Sequence, residues 1–280
     1  MKVMVTGAGG MLARALLAEL PARGHHAVAL DRRALDVTNA DACIAALRAH
    51  RPDAVIQCAA YTRVDDAERE ESRALAVNGD GARNVARACA GTNARFIYPS
   101  TDYVFDGTAR APYRPDHAVD PINAYGRTKR AGERAVSVAD ALIVRTAWLY
   151  GAGGRNFVRT ILDRARAGLP LRVVDDQHGS PTWTRDLARI LVTLLERKAP
   201  AGVYHATNSG ATTWYGMACA VLEEAGIDAD ITPVPSAEFP TPATRPSYSV
   251  LDCSATWAIT GPAPEWRDGL AAALREGVHD

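Results

Sequence analysis

The sequence has 280 residues and a mass of 29.9 kDa, enough for one large α/β domain with an appendage or for two modest domains. Hydrophobic residues make up 48% and charged residues 23%, which excludes a disordered chain, a collagen-like repeat and a small disulfide scaffold. The 32 basic and 32 acidic residues cancel, so we expect neither a nucleic acid nor an anionic membrane as a partner.

Strands and helices alternate through the first half of the chain. Short β-branched runs predict strands at 2–6, 26–30, 53–58, 95–99 and 141–145. Ala-, Leu- and Arg-rich patterns predict helices at 11–20, 41–50, 72–90 and 125–138. This alternation predicts an α/β fold, namely a Rossmann-type doubly wound parallel sheet with right-handed crossovers.

The second half is less regular. Its patterns predict helices at 157–167, 185–197 and 213–225 and strands at 171–174 and 203–206. Five prolines within 233–246 predict an irregular segment there. We therefore expect a dinucleotide-binding Rossmann domain at 1–168, onto which 181–207 packs back. Residues 169–180 and 208–280 would form a smaller C-terminal α/β substrate-binding lobe.

A glycine turn, Gly7-Ala8-Gly9-Gly10-Met11-Leu12-Ala13, lies between the first predicted strand and helix. Glycines allow close approach to a pyrophosphate, which the helix N-terminus stabilises, and a small third residue such as Ala13 lets the helix pack on the strand. A strand-to-helix turn can also require glycine for backbone reasons alone. Its place at the first such turn favours a dinucleotide.

The end of the second predicted strand carries the residues that would choose between NADH and NADPH. Asp31 can accept hydrogen bonds from the adenosine ribose, whereas Arg32 and Arg33 can pair with a 2′-phosphate. These residues leave both cofactors open, and solvated loop charges are the alternative.

Tyr125 and Lys129 are four residues apart on a predicted helix, so their side chains share a face. Lysine is rare in this chain, since only Lys2, Lys129 and Lys198 occur. An ammonium beside a phenol lowers the pKa of the phenol, so we expect Tyr125 to act as a general acid. Upstream, Ser100 and Thr101 follow a strand, where a hydroxyl can either bind a substrate carbonyl or cap a turn.

Eight motifs in order resemble one family, the extended short-chain dehydrogenase/reductases, and within it the dTDP-4-dehydrorhamnose reductases. The resemblance covers nearly the whole chain and rests on GAGGMLA (7–13), AAYTRVDDAE (59–68), VNGDGARNVARAC (77–89), STDYVFDG (100–107), YGRTK (125–129), RTAWLYG (145–151), DQHGSPT (176–182) and RPSYSVLD (245–252).

The resemblance implies NADPH or NADH as cofactor and a dTDP-sugar as substrate. It implies that Tyr125 donates the proton, that Lys129 holds the nicotinamide ribose and lowers the pKa of Tyr125, and that Thr101 steadies the carbonyl. Together with the glycine turn, the cofactor residues would be Gly7, Gly10, Met11, Leu12, Asp31, Arg32, Asp36, Val37, Ala60, Tyr61, Thr62, Tyr125 and Lys129. The substrate residues would be Val64, Thr101, Asp102, Tyr103, Trp148 and Arg245.

Two of the substrate residues have plain alternatives. Trp148 follows a strand and can be a core aromatic, and Arg245 can be an ordinary surface arginine that meets no pyrophosphate.

The implied reaction is reduction of the C4 ketone of a 6-deoxysugar nucleotide, dTDP-4-dehydro-L-rhamnose to dTDP-L-rhamnose. Related ketoreductases and epimerases are the nearest alternatives. A dehydratase of the superfamily would carry Glu after the Thr-Asp pair, where this chain has Tyr103. A regulatory subunit resembling the methionine adenosyltransferase β-subunit is an alternative of another class.

The five cysteines stand apart without a CxxC pair, so we expect no zinc site and a reducing compartment. No apolar run approaches the ~20 residues needed to span a bilayer, and Met1 leads directly into a strand. We therefore expect a cytoplasmic protein with no metal ligands that the sequence can place. The oligomeric state is open, and a homodimer is compatible with it.

Overall fold

The computed structural model describes residues 1–137 and 140–277. In these residues the strands are β1 (Lys2–Thr6), β2 (His26–Leu30), β3 (Ala54–Gln57), β4 (Arg95–Thr101), β5 (Ala141–Thr146), β6 (Leu149–Tyr150), β7 (Leu171–Val174), β8 (His178–Gly179), β9 (Thr182–Trp183), β10 (Gly202–His205), β11 (Thr212–Thr213) and β12 (Ile231–Val234). The helices are α1 (Met11–Ala22), α2 (Ala40–His50), α3 (Val64–Ala67), α4 (Glu71–Leu75), α5 (Gly81–Ala90), α6 (Ala124–Val136), α7 (Phe157–Arg166), α8 (Thr184–Glu196), α9 (Trp214–Ala225), α10 (Ser254–Thr260) and α11 (Trp266–Arg275).

A six-stranded parallel sheet forms the centre of the molecule, in the order β10-β5-β4-β3-β1-β2. Its inner strands are apolar runs that are buried on both faces, as parallel strands covered by helices must be. Helices α1 and α8 cover one face, and α2, α5 and α6 cover the other. This arrangement confirms the expected doubly wound sheet.

The order of the strands determines where a ligand can bind. The chain passes from β1 to β2 on one side and returns to β3 on the other, so the direction of winding reverses beside β1. In open α/β sheets, ligands bind at such a switch point, beyond the carboxyl ends of the strands. The glycine turn leaves β1 at this edge of the sheet.

A second apolar core, built from α7, α9, α11 and β7, forms the smaller lobe. Helix α7, which lies within the expected Rossmann domain at 1–168, contacts α9 and β7 of this lobe, and the boundary at residue 168 stays a prediction. Residues of α8 and β10 do return to the first lobe, where α8 packs on α1 and β10 pairs with β5. Residues 278–280 of the expected lobe, and the expected end of the helix at Val138, lie outside the described residues.

The proline-rich segment is more ordered than expected. Pro233 lies within β12, which pairs in parallel with β7, and Ser236–Glu238 forms a 3₁₀ turn. Within the described part of the chain, strand β12 pairs only with β7 in a two-stranded sheet, so its other edge forms no ladder hydrogen bonds. A proline is tolerated there because its missing N–H group is not needed at that edge.

The long helix expected at 72–90 contains a π-helical turn at Ala76–Asp80 between α4 and α5. The turn carries the buried side chain of Asn78. The Asn78 Oδ1 atom accepts a hydrogen bond from the Tyr61 N–H at 2.8 Å, and its Nδ2 atom donates to Thr128 Oγ1 at 3.1 Å. Such turns recur beside functional sites. Of the helices in the described residues, none is long and apolar enough to cross a membrane.

Candidate active site

The glycine turn brings the backbone of β1 against the backbone that follows β3. Gly7 has a φ of +64°, and a Cβ atom there would lie 2.6 Å from the Ala59 nitrogen, so only glycine fits. Gly10 caps α1 without a side-chain hydrogen bond, which leaves the first N–H groups of that helix free for an anion. Ala13 is fully buried, as the small third position of the motif requires.

A cavity of about 580 Å³ begins at this turn and ends at the tyrosine and lysine of α6. That volume lies within the usual range for ligand sites. The expected cofactor residues that line it are Gly7, Gly10, Met11, Leu12, Arg32, Asp36, Val37, Ala60, Tyr61, Thr62, Tyr125 and Lys129.

Asp31 is not among the residues that line this cavity, so its contact with a ribose stays a prediction. Its Oδ1 accepts hydrogen bonds from the N–H groups of Arg33 and Ala34, each at 2.9 Å, within its own turn. Arg32 and Asp36 face the cavity instead. Hydrogen bonds from Thr38 hold the pKa of Asp36 below its ordinary value, so this group carries a negative charge.

Several lining residues were not anticipated. Some of them lie close in sequence to expected positions, after β2 and at the end of β3, and this closeness could have indicated them: Leu35, Gln57, Cys58 and Ala59. Arg73 reaches the cavity from α4, and nothing in its local sequence indicates this.

The structure brings Thr101, Tyr125 and Lys129 together at the carboxyl edge of the sheet. Thr101 ends β4, and α6 begins at Ala124 because the Asn123 side chain accepts the Gly126 N–H at 2.8 Å. The Thr101 hydroxyl lies near the Tyr125 phenol and donates to Asp102 Oδ1 at 3.0 Å. A hydroxyl pair beside a buried cation can hold and protonate a carbonyl oxygen.

Lys129 is buried under Tyr125. Its Nζ donates to the Pro99 carbonyl at 2.7 Å and lies 4.0 Å from the centre of the Tyr98 ring. Burial lowers the pKa of Lys129 to about 7, which Glu133 partly opposes. The ammonium of Lys129 therefore changes its charge near neutral pH.

The expected lowering of the Tyr125 pKa is not observed. Burial and the charge of Asp102 raise the pKa of Tyr125 above its ordinary value, and the hydrogen bond with Thr101 only partly offsets them. Tyr125 consequently keeps its proton at neutral pH, which suits a proton donor.

Two of the expected substrate residues, Tyr103 and Arg245, lie near Tyr125. Tyr103 meets the Tyr125 ring edge-on, with centroids 6.0 Å apart. The Arg245 guanidinium interacts with Tyr103 and forms two hydrogen bonds with the Asp65 carboxylate, at 3.0 and 2.9 Å. Asp65 directly follows Val64 at the start of α3. This ion pair fixes the Arg245 guanidinium near Tyr103, and its contact with the substrate stays a prediction.

Asp102 is 2% exposed, and its Oδ1 accepts a hydrogen bond from the Thr101 hydroxyl at 3.0 Å, whereas its Oδ2 is buried without a hydrogen-bond partner among the described residues. Burial raises the pKa of Asp102 to about 7, against the effect of neighbouring donors. Its charge therefore changes near neutral pH beside the expected proton donor.

Trp148 lies apart from this group. It has a φ of +47° and stacks on Trp214 of α9 with ring centroids 3.5 Å apart, and the indole also covers Gly179. A positive φ at a bulky residue is a strained conformation that surrounding contacts must hold. The structure thus places Trp148 at the face of the smaller lobe rather than on the cavity of the glycine turn.

The parallel sheet, the glycine turn after β1 and the Tyr–Lys pair at the carboxyl edge together define the class of the extended short-chain dehydrogenase/reductases. The family model described as the RmlD substrate binding domain matches residues 1–278. The chain belongs to that family, which confirms the resemblance inferred from the eight motifs.

Known relatives agree along nearly their whole length. A dTDP-4-dehydrorhamnose reductase of Streptomyces griseus is 49% identical over 277 residues, covering 95% of this chain and 91% of the relative. A dTDP-4-keto-6-deoxy-D-glucose reductase of Streptomyces niveus is 45% identical, covering 97% and 96%. The crystal structure of dTDP-4-dehydrorhamnose reductase from Bacillus anthracis, in complex with NADP, is 37% identical with a TM-score of 0.95 and covers 98% of this chain and 99% of that one.

Proposed function

We propose that this protein reduces the C4 ketone of a dTDP-activated 6-deoxysugar, dTDP-4-dehydro-L-rhamnose in the first instance, with NADPH or NADH. The observation that carries the proposal is that Tyr125 and Lys129 line the cavity that begins at the glycine turn, with Thr101 next to Tyr125. The names of relatives at 45–49% identity support a ketone on a dTDP-deoxysugar as the substrate.

The residues present fit a dinucleotide. The backbone of Gly7 and Gly10 and the free N–H groups of α1 would hold its pyrophosphate. Val37 and Ala60 would pack on its apolar surfaces, and Arg32, which lines the same cavity, would pair with a 2′-phosphate. The NADP in the Bacillus anthracis relative supports this assignment. When bound, the nicotinamide supplies the hydride.

The protein's own task in the reaction is to place the ketone and provide a proton. Tyr125 donates its phenolic proton to the C4 oxygen, while Thr101 holds the same oxygen by a hydrogen bond. Lys129 would hold the nicotinamide ribose, and its ammonium stabilises the phenolate that remains on Tyr125. Val64, Asp102, Tyr103 and Arg245 would surround the sugar nucleotide on the side of α3.

The test is incubation of the purified protein with NADPH and dTDP-4-dehydro-6-deoxy-L-mannose, followed by product identification. We expect one NADPH consumed for each dTDP-deoxysugar formed. Interconversion of sugar nucleotides without net loss of NADPH would identify an epimerase instead. Binding of NADPH without turnover of any ketosugar nucleotide would favour the regulatory subunit.

The assembly and location of the protein belong to the same proposal. We propose a homodimer, to be measured by light scattering on the eluted protein, and a cytoplasmic location, which the five free cysteines of the described residues support. We also propose that the sheet-bearing lobe binds the cofactor and that the lobe built on α7, α9 and α11 closes over the sugar.

A further inference from the structure

Helix α6 carries a third inward-facing group that the proposed function does not use. Glu133 lies one turn beyond Lys129 and two turns beyond Tyr125, so all three side chains share one face of the helix. The Glu133 side chain is only 1% exposed, which is unusual for a carboxylate.

Four donors surround the Glu133 carboxylate. Arg145 of β5 binds both oxygens, through Nε at 2.8 Å and Nη2 at 3.0 Å, and Arg130 donates at 2.9 Å. The Ser100 hydroxyl donates at 2.7 Å. Burial opposes the charge, but these hydrogen bonds hold the pKa of Glu133 below its ordinary value. Glu133 is therefore ionised in the interior.

Stability alone does not explain this arrangement. Replacing a buried ion pair by well-packed apolar side chains is often neutral or stabilising, so a buried carboxylate is weak support for the fold as such. Its position suggests a use in the site. Ser100 precedes Thr101 at the end of β4, and Lys129 precedes Glu133 by one helical turn.

Lys129 has few other groups that can balance its charge. The Tyr98 ring faces it from β4, Cys58 from the end of β3, and Tyr125 from its own helix. Burial raises the pKa of the Cys58 thiol to about 12 and also raises that of the Tyr125 phenol, so both groups are neutral near pH 7. Among the described acidic groups that affect the pKa of Lys129, Glu133 is therefore the one that carries a negative charge near pH 7.

We propose that Glu133 is a positioning residue of the active site, whose carboxylate supplies the counter-charge for the Lys129 ammonium and, through Ser100, fixes the end of β4 that carries Thr101. The inference rests on the proposed reductase function for the roles of Lys129 and Thr101. It adds a residue that touches neither the ketone nor the cofactor and acts through those that do.

The proposed counter-charge fixes the direction in which the pKa of Lys129 changes when Glu133 is replaced. Lys129 is charged below its pKa and loses its proton as the pH rises through that value. Removing the negative charge of Glu133 lowers this pKa. The pH above which the ammonium is lost, and with it the turnover that depends on it, then moves to lower pH.

The small number of lysines makes a direct measurement possible. Lysine labelled with ¹³C at Cε gives one NMR signal each for Lys2, Lys129 and Lys198, and Lys129→Met identifies the signal of interest. We expect the midpoint of the Lys129 titration to fall by about one pH unit, a tenfold loss of proton affinity, in Glu133→Gln. Glu71→Gln is the matched control, because it removes an exposed carboxylate paired with Arg127 of the same helix, and should leave the midpoint unchanged.

Glu133→Gln leaves Arg145 without its carboxylate, so the double variant Glu133→Gln/Arg145→Met is included in case the single variant does not fold. The double variant is compared with Arg145→Met, which lacks the same guanidinium but keeps the Glu133 carboxylate, and its Lys129 midpoint should be the lower of the two. A folded Glu133→Gln with the wild-type midpoint, or a folded double variant with the midpoint of Arg145→Met, overturns the counter-charge.

The link to β4 is tested by Ser100→Ala and Glu133→Asp. Ser100→Ala should lower kcat about tenfold, as expected for a lost hydrogen bond to a charged group, with KM and the Lys129 midpoint close to wild type. Glu133→Asp, which keeps the charge, should restore most of the Lys129 midpoint. An unchanged kcat in Ser100→Ala overturns the positioning role.

The two hypotheses fail separately. The lysine titration needs neither substrate nor cofactor, so it decides the counter-charge even if the protein reduces no ketosugar nucleotide. Conversely, full reductase activity together with an unmoved midpoint in the folded variants contradicts this inference and leaves the proposed function intact.

Discussion

Tyr125 is the residue on which the proposed chemistry depends most directly. Tyr125→Phe removes the proton donor and keeps the ring that meets Tyr103. We expect turnover to fall about 10²–10⁴-fold, the usual contribution of a general acid, while NADPH binding stays near wild type. Steady-state kinetics and a fluorescence titration of NADPH measure the two effects. Reduction at a near-wild-type rate by this variant would contradict the mechanism.

We expect Arg32 to contribute more than Asp31 to the choice between NADPH and NADH. Arg32 lines the cavity with a largely exposed side chain, whereas the Asp31 carboxylate binds its own turn. Arg32→Ala should lower kcat/KM for NADPH about tenfold relative to NADH, because a hydrogen bond to a charged phosphate is lost.

Arg33→Ala is the matched control for that change. Arg33 is the next residue and is also exposed, but it does not line the cavity. Its loss should leave the ratio of the two cofactors unchanged. A shift towards NADPH in Asp31→Ala would show instead that Asp31 faces the ribose, as the sequence had indicated.

The sequence predicts which residues share a site when those residues are close in the chain and lie on one element. The four-residue spacing of Tyr125 and Lys129 required only a helix, and the structure has one. The contact of Asp31 with the ribose stays a prediction, because a short acid can also accept from two N–H groups of its own turn, and a sequence does not show which partner it takes. The pairing of Arg245 with Asp65 joins residues 180 positions apart, so no local pattern indicates it.

Among the elements, the turn between β1 and α1 has the least freedom to change. Gly7→Ala places a methyl group 2.6 Å from the Ala59 nitrogen and adds the strain of a positive φ. Gly24→Ala is the matched control, since Gly24 has a φ of +73° with nothing within 4 Å of the added methyl.

The control should lose about 1–2 kcal/mol of unfolding free energy from the backbone alone. Gly7→Ala should lose more and should also lose NADPH binding, because the backbone of β1 must move away from the strand end beside it. Denaturant unfolding and NADPH titration measure both quantities. Equal effects of the two substitutions would mean that the close approach at Gly7 is unimportant.

Elements were predictable where one pattern dominated. Apolar runs of four to six residues marked β3 and β5, and their burial on both faces explains why they do not alternate. The π-helical turn at Ala76–Asp80 and the strand that contains Pro233 were not predictable. The first depends on where Asn78 finds partners on other elements, and the second on which side of β12 meets β7.

The two lobes of the whole molecule meet through Trp148, which follows β5 of the sheet and stacks on α9 of the smaller lobe. Trp148→Ala should weaken binding of the sugar nucleotide by a few kcal/mol at most, while NADPH binding stays nearly intact. Trp148→Phe keeps an aromatic stack and should retain most of that affinity. Separate titrations of the two ligands decide the matter, and an equal loss of both would make Trp148 a core residue only.

The return of the chain to the sheet affects how the protein is made. Strand β10 covers β5, but it is synthesised after all of α7, β7 and α8, some sixty positions later in the chain. A nascent chain that ends before residue 202 therefore leaves β5, six buried residues with the sequence ALIVRT, as an open edge of the sheet. Open apolar edges pair with other chains and promote aggregation. The sheet of the first lobe is therefore protected from mispairing at β5 only after the ribosome has synthesised residues of both lobes.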